Sequence, residues 1–209
     1  MVDKLTSWKY AEDFVSEGEV FKQARVRANE LGIESVTPSV GSHLALIASA
    51  TGAKAIVEAG TGAGISGLWL LRGTPDAVLA TIDTEIDHQA AAKAAFNDAK
   101  IAAARTRIIS GKALDVMSNM ADAAYDLVFL DADSETIEEQ AQEASRLLRP
   151  GGVMAMAHAL WRDRVPDPVM RDDSTAAYRG ILRAFQKNED FISVVSTTGD
   201  GLLLASKRR

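Results

Sequence analysis

From residue 55 onward the sequence alternates short apolar runs with amphipathic stretches, and this rhythm restricts the fold more than any other feature. Apolar runs cover 55–58, 78–83, 106–110, 127–131 and 152–157. Stretches with helical patterning fill the gaps at 65–71, 87–99, 114–120 and 135–148. Strands separated by helices pair in parallel, because a tight turn joins only antiparallel neighbours. Right-handed crossovers then place helices on both faces and leave a ligand crevice at the carboxyl ends of the strands. The last two apolar runs, 191–197 and 202–206, meet across Gly199-Asp200-Gly201, a tight-turn signal. The expected fold is a Rossmann-like, doubly wound α/β sheet of seven strands, mostly parallel and ending in an antiparallel C-terminal hairpin.

The segment before residue 53 follows a different rhythm. Phe14, Phe21, Ala24, Ala28 and Leu31 recur at helical spacing within 8–31, which reads as one or two helices stopped by Gly32. After the break at Pro38, a further helix is expected over 39–50. The chain of 209 residues is too short for two Rossmann-type domains. We therefore expect one domain over 1–209, with N-terminal helices in 1–52 and the Rossmann-like core in 53–209. In the core, 178–187 carries Ile181, Leu182 and Phe185 at the spacing of a core-facing helix.

Charge and composition exclude several classes. A net charge of −6 disfavours DNA or RNA as a partner. The one tight basic cluster, Lys207, Arg208 and Arg209, reads as a solvated tail. With no cysteine there are no disulfides, thiolate metal sites or cysteine nucleophiles. No apolar run has the length of a membrane span, and the first residues lack a signal-peptide core. A cytoplasmic protein with a small-molecule substrate is the expectation.

The chemistry centres on Glu58-Ala59-Gly60-Thr61-Gly62-Ala63-Gly64, between the first strand and its helix. Glycines there allow a sharp turn and close approach to a ligand. Gly62-Ala63-Gly64-Ile65-Ser66-Gly67 matches the dinucleotide pattern, with Asp83 at a suitable distance for a ribose. However, that match begins well past the end of the strand. Glu58 also precedes the first glycine, where it would repel a diphosphate and attract a cation. A cationic nucleoside ligand such as S-adenosylmethionine therefore suits Glu58, Gly60, Gly62 and Gly64 better than NAD does. A plain strand-to-helix turn is the bland alternative for the glycines, and a helix cap for Asp83.

Four motifs together resemble class I methyltransferases. They are the glycine stretch running on to Ile65-Ser66, Thr81-Ile82-Asp83, Phe129-Leu130-Asp131-Ala132-Asp133 and Arg149-Pro150-Gly151-Gly152. More narrowly, with Gly199-Asp200-Gly201-Leu202, the chain resembles the bacterial branch of the catechol and caffeoyl-CoA O-methyltransferase-like family over about 36–207. The resemblance implies an S-adenosylmethionine-dependent O-methyltransferase acting on a small-molecule hydroxyl. It implies that Glu58, Gly60, Thr61 and Ser66 hold the methionine part, Asp83 the ribose, and Ala113 the adenine, with a backbone contact from Val36. Asp131 and Asp133 would border the donor and face the methyl acceptor. A homodimer is implied as well, with Trp8, Tyr10 and Phe14 available to a partner subunit.

The family's usual chemistry uses a divalent metal that gathers two acceptor oxygens. Its ligands match Asp131 and an Asp-Asn pair that here reads Ala157-His158, and the lysine often found after the first acid is Ser134. Asp131, Asp133 and His158 are thus candidate ligands for manganese, iron or zinc rather than for magnesium or calcium; alternatively His158 acts alone as general base. Trp161, with the loop 162–173 and its Pro166 and Pro168, is a candidate acceptor wall or lid. Two other readings stay open: a donor-binding protein with a degenerate acceptor site and little catalysis, and an NAD-dependent oxidoreductase.

Overall fold

The structure, a computed structural model, describes residues 4–132 and 134–209. Three helices come first: α1 (Lys4–Glu12), α2 (Glu19–Glu30) and α3 (Pro38–Thr51). Then strands and helices alternate: β1 (Ala55–Ala59), α4 (Ile65–Arg72), β2 (Val78–Asp83), α5 (Ile86–Asp98), β3 (Thr106–Ser110), α6 (Ala113–Met117), β4 (Tyr125–Leu130), α7 (Ile137–Leu147) and β5 (Leu148–Met156). After a long turn region come α8 (Asp173–Lys187), β6 (Phe191–Ser196) and β7 (Leu202–Lys207).

The sheet has seven strands in the order β3-β2-β1-β4-β5-β7-β6. β3, β2, β1, β4 and β5 run parallel, while β7 is antiparallel to both β5 and β6. The expected seven-stranded, mostly parallel sheet with its closing hairpin is the one observed. The chain winds outward from β1 to β3 and then returns to β4, so the switch point lies between β1 and β4.

Alternate residues of each strand feed opposite cores. Ile56, Leu79, Leu127 and Phe129 join Leu44 of α3, Trp69 of α4 and Phe96 of α5 on one face. Val57, Ile82, Val128 and Leu130 join Leu147 of α7 and Tyr178, Ile181 and Phe185 of α8 on the other. Both faces being covered explains why the parallel strands read as near-continuous apolar runs. Local chemistry sets the element ends. Thr37 caps α3 by accepting from the Val40 N–H (3.3 Å), Pro38 opens it, and Gly52 closes it in the left-handed conformation (φ +59°).

The stretch 8–31, expected as one or two helices, is two, separated by residues 13–18, with Phe14 exposed in the break. Two expectations are corrected. β5 begins at Leu148, earlier than residue 152, because Leu148 pairs with Tyr125 before a register shift. Lys207 is no solvated tail: its Nζ donates to the carbonyls of Ser145 (2.8 Å) and Leu148 (3.0 Å).

Candidate active site

The carboxyl ends of β3, β2, β1 and β4 open on a cavity of about 630 Å³, an ordinary size for a small-molecule site. Its walls come from the loops after those strands and from segment 33–36, between α2 and α3. Gly60 lets β1 and β4 converge there. Its φ is +93°, and an added Cβ would lie 2.0 Å from the Asp131 carbonyl oxygen.

Asp83 organises the glycine loop. Its Oδ2 accepts from the backbone N–H groups of Thr61 (3.1 Å) and Gly62 (3.0 Å), and its Oδ1 from Glu85 N–H (2.9 Å). A dinucleotide-binding loop turns such amides toward a diphosphate; here a side-chain carboxylate already holds them. Six carboxylates line the cavity, from Glu34, Asp83, Glu85, Asp115, Asp131 and Glu135, against Lys112 as the one lysine or arginine among the described lining residues. That wall repels phosphates and attracts cations.

Glu58 lies beneath this floor rather than on it. It is fully buried, and its Oε2 accepts from the Thr81 hydroxyl (2.6 Å), which in turn meets the Thr61 hydroxyl (2.7 Å). Oε1 has no hydrogen-bond partner among the described residues. Burial pushes the carboxyl up to about 7; the hydroxyls of Ser66 and Thr81 oppose the rise, and the charges of Asp131 and Asp83 add to it. A buried acid with one orphaned oxygen is what a cation arriving nearby would relieve.

The other residues expected to hold the donor divide into two groups. Val36, Gly60, Thr61, Gly62, Ser66, Asp83, Ala113 and Asp131 line the cavity. The Val36 carbonyl accepts from Arg25 (2.9 Å), whose guanidinium also pairs with Glu17, so this wall is tied to α2. Gly64 does not line it: an added Cβ there would lie 3.0 Å from Ala92 Cα and 3.3 Å from Phe96, so this glycine serves the contact between α4 and α5. Asp133 lies outside the described residues.

At the β4 end of the cavity, Asp131 meets the loop after β5. His158 Nε2 stands 3.3 Å from Asp131 Oδ1, and Nδ1 stands 3.1 Å from Asp200 Oδ2. The bond to Asp131, the charges of both carboxylates and the bond to Asp200 outweigh burial and lift the imidazole to about 9. Both carboxylates thus favour the protonated ring, whereas a general base works from the neutral one. Trp161 makes an edge contact with His158 (centroids 6.3 Å) and stacks on Tyr178 (4.8 Å), but it does not line the cavity. The following loop is held by the Arg179 guanidinium, which donates to the carbonyls of Arg164, Val165, Asp167 and Met170. Asp200 escapes sequence reasoning because it looks like a turn residue. The available signal was register: β7 pairing antiparallel with β5 brings the 199–201 turn beside 158–160.

Comparison with known proteins decides the family. The model of the O-methyltransferase family matches residues 12–208. The chain belongs to the O-methyltransferase family. This O-methyltransferase is 45% identical over 197 residues to a Mycobacterium ulcerans protein named as an O-methyltransferase, covering 94% of this chain and 88% of that one. Among solved structures, a Corynebacterium glutamicum protein superposes with a TM-score of 0.90 at 27% identity, over 99% of this chain and 98% of that one. The O-methyltransferase TomG of Streptomyces achromogenes, solved in complex with SAM and involved in tomaymycin synthesis, gives 0.83 at 27% identity over the full length of both chains. With this family and with Asp83 holding the loop amides, the NAD-dependent oxidoreductase reading is set aside.

The divalent cation that the resemblance implies does not fit the described residues. Ala157 offers no side-chain ligand atom, and both His158 nitrogens already face carboxylates. Among the described residues no group of three or more histidines and carboxylates is arranged to hold a metal ion. S-adenosylmethionine does fit: the carboxylate-rich wall and the orphaned Glu58 oxygen suit a ligand bearing a sulfonium and an ammonium.

Proposed function

We propose that this O-methyltransferase methylates a hydroxyl oxygen of a small molecule at the Asp131 end of the cavity. S-adenosylmethionine is the methyl donor, and when bound it supplies a methyl group already activated by a sulfonium. The observation that carries the reading is Asp131, which lines the donor cavity and touches His158 at its far side. With Oδ1 committed to His158, Oδ2 is the oxygen for an acceptor hydroxyl. Bound in the cavity, the donor would supply the methyl group and keep the carbon–sulfur electron pair on its sulfur, and Asp131 would take the proton of the hydroxyl that accepts the methyl. Glu58, Asp83 and Ser66 orient the donor, and Val36 covers it; alignment of donor and acceptor accounts for much of the rate. Tight fixing of the loop after β5 favours a working acceptor site over a degenerate one.

The test is transfer of labelled methyl from S-adenosylmethionine to a panel of phenols and catechols. Asp131→Asn is expected to lower kcat by about a hundredfold, far more than it weakens S-adenosylhomocysteine binding. Unchanged turnover in that variant overturns the assignment. We further place the enzyme in the cytoplasm as a single catalytic domain and a homodimer. No helix among the described residues is long and apolar enough to cross a membrane. Trp8, Tyr10 and Phe14 are 43%, 73% and 76% exposed, which suits a partner contact. A monomer by light scattering overturns the dimer.

A further inference from the structure

Resting on the reading of Asp131 as the acceptor-side residue, we infer that the His158 side chain, clamped between Asp131 and Asp200, takes the place of the divalent metal. The site then grips a single acceptor oxygen and needs no second oxygen for chelation. Three observations carry this. The ring is bonded on both edges, at 3.3 Å to Asp131 and 3.1 Å to Asp200, so neither nitrogen is left for a metal. The neighbour that would have supplied a carboxylate is Ala157. And the backbone is bent to put the ring there: His158, Trp161, Arg162 and Asp163 all have φ between +43° and +60°, a conformation that non-glycine residues hold only where surrounding structure imposes it.

Asp200 is the positioning residue, and it is itself rigidly placed. Its Oδ1 accepts from Arg162 N–H (2.6 Å), and its carbonyl accepts from Leu160 N–H (3.1 Å). The next turn residue, Gly201, accepts from Ala159 N–H (3.0 Å), and Glu12 accepts from Gly199 N–H (3.0 Å). The β6–β7 turn therefore sets the depth of the imidazole, and Asp131 receives it from the other side. In a metal-dependent site a cation gathers two oxygens of a vicinal diol; here both ring nitrogens are taken by carboxylates, so the acceptor meets only the free Oδ2 of Asp131, which one hydroxyl satisfies.

The experiment has a metal arm, a ring arm and an activity arm. Titration with Mn2+ followed by electron paramagnetic resonance is expected to show no site tighter than millimolar; a stoichiometric micromolar site lost in Asp131→Asn overturns the inference. Ring 15N spectra are expected to show His158 nitrogens shifted together by Asp200→Asn, with the fold retained because Asn keeps the acceptor for Arg162 N–H. An unmoved His158 signal overturns the clamp. Asp200→Asn is expected to lower kcat about ten- to a hundredfold, with acceptor KM and S-adenosylhomocysteine affinity nearly unchanged. Phenols with one hydroxyl are expected to turn over as well as matched catechols, in chelator and without added metal; strict dependence on a vicinal diol overturns it. A protein that fails to bind S-adenosylhomocysteine would instead sink the methyltransferase reading, so the two failures are distinguishable.

Discussion

A carboxylic acid sealed from water gives up its proton late, and burial pushes Glu58 up to about 7. A donor ammonium favours the ionised form, so S-adenosylhomocysteine is expected to bind more tightly as pH rises from about 6 to 8, by up to about tenfold. Calorimetry in buffers of different ionisation enthalpy should register proton release, and Glu58→Gln should remove both the slope and the release. His158 gives a different signature. Its folded value of about 9 lies above the ordinary 6.5, so its contribution to stability is complete below 6.5 and is lost as pH rises through 9. His158→Gln is expected to flatten the stability profile between those limits, by on the order of 2–3 kcal/mol in the acid part of the window; urea unfolding at pH 6 and pH 9.5 measures it. The sequence disclosed the residue types at these places but not their surroundings. Glu58 was legible as an acid before glycines, whereas its burial under the loop depends on α4 and β2 closing over it. His158 was legible as a departure from the family, but its raised value depends first on Asp131 and then on Asp200, 42 residues away.

Among elements, the strands were the most legible, because both faces of the parallel sheet are covered and apolar runs mark them directly. Asp126 shows how such strands are then tied together: its carboxylate accepts from the Lys54 (2.7 Å) and Ala55 (2.8 Å) amides at the start of β1 and from Arg149 (2.6 Å) of β5. The N-terminal helices were less legible. Phe14 and Leu31 fit the helical spacing yet are exposed, because Phe14 falls between α1 and α2 and Leu31 just past the end of α2. What fastens α3 to α4 is a steric fit invisible to periodicity: an added Cβ at Gly41 would lie 2.2 Å from Trp69 Cδ1. Gly41→Ala is expected to destabilise the protein by about 1–3 kcal/mol, seen as a lower thermal midpoint, while donor affinity per folded molecule is preserved. An unchanged midpoint would show that Trp69 moves aside freely.

At the scale of the whole molecule, the cavity joins the ends of four strands to the 33–36 segment, so a ligand filling it braces the sheet against its N-terminal cover. S-adenosylhomocysteine at a hundred times its Kd is expected to add about 2.7 kcal/mol to unfolding stability, read as a raised melting midpoint. NAD at the same concentration should leave the midpoint where it was, because Asp83 occupies the loop amides. An equal rise with NAD would contradict that account. The carboxylate wall has one more consequence, for the return half of the cycle. Once the methyl group has gone, the spent nucleoside is a neutral thioether with one positive charge fewer, and the same surroundings that drew the fresh molecule in hold the used one less firmly. The reaction thereby weakens its own product's grip, and a charged newcomer can replace it without any door having to open.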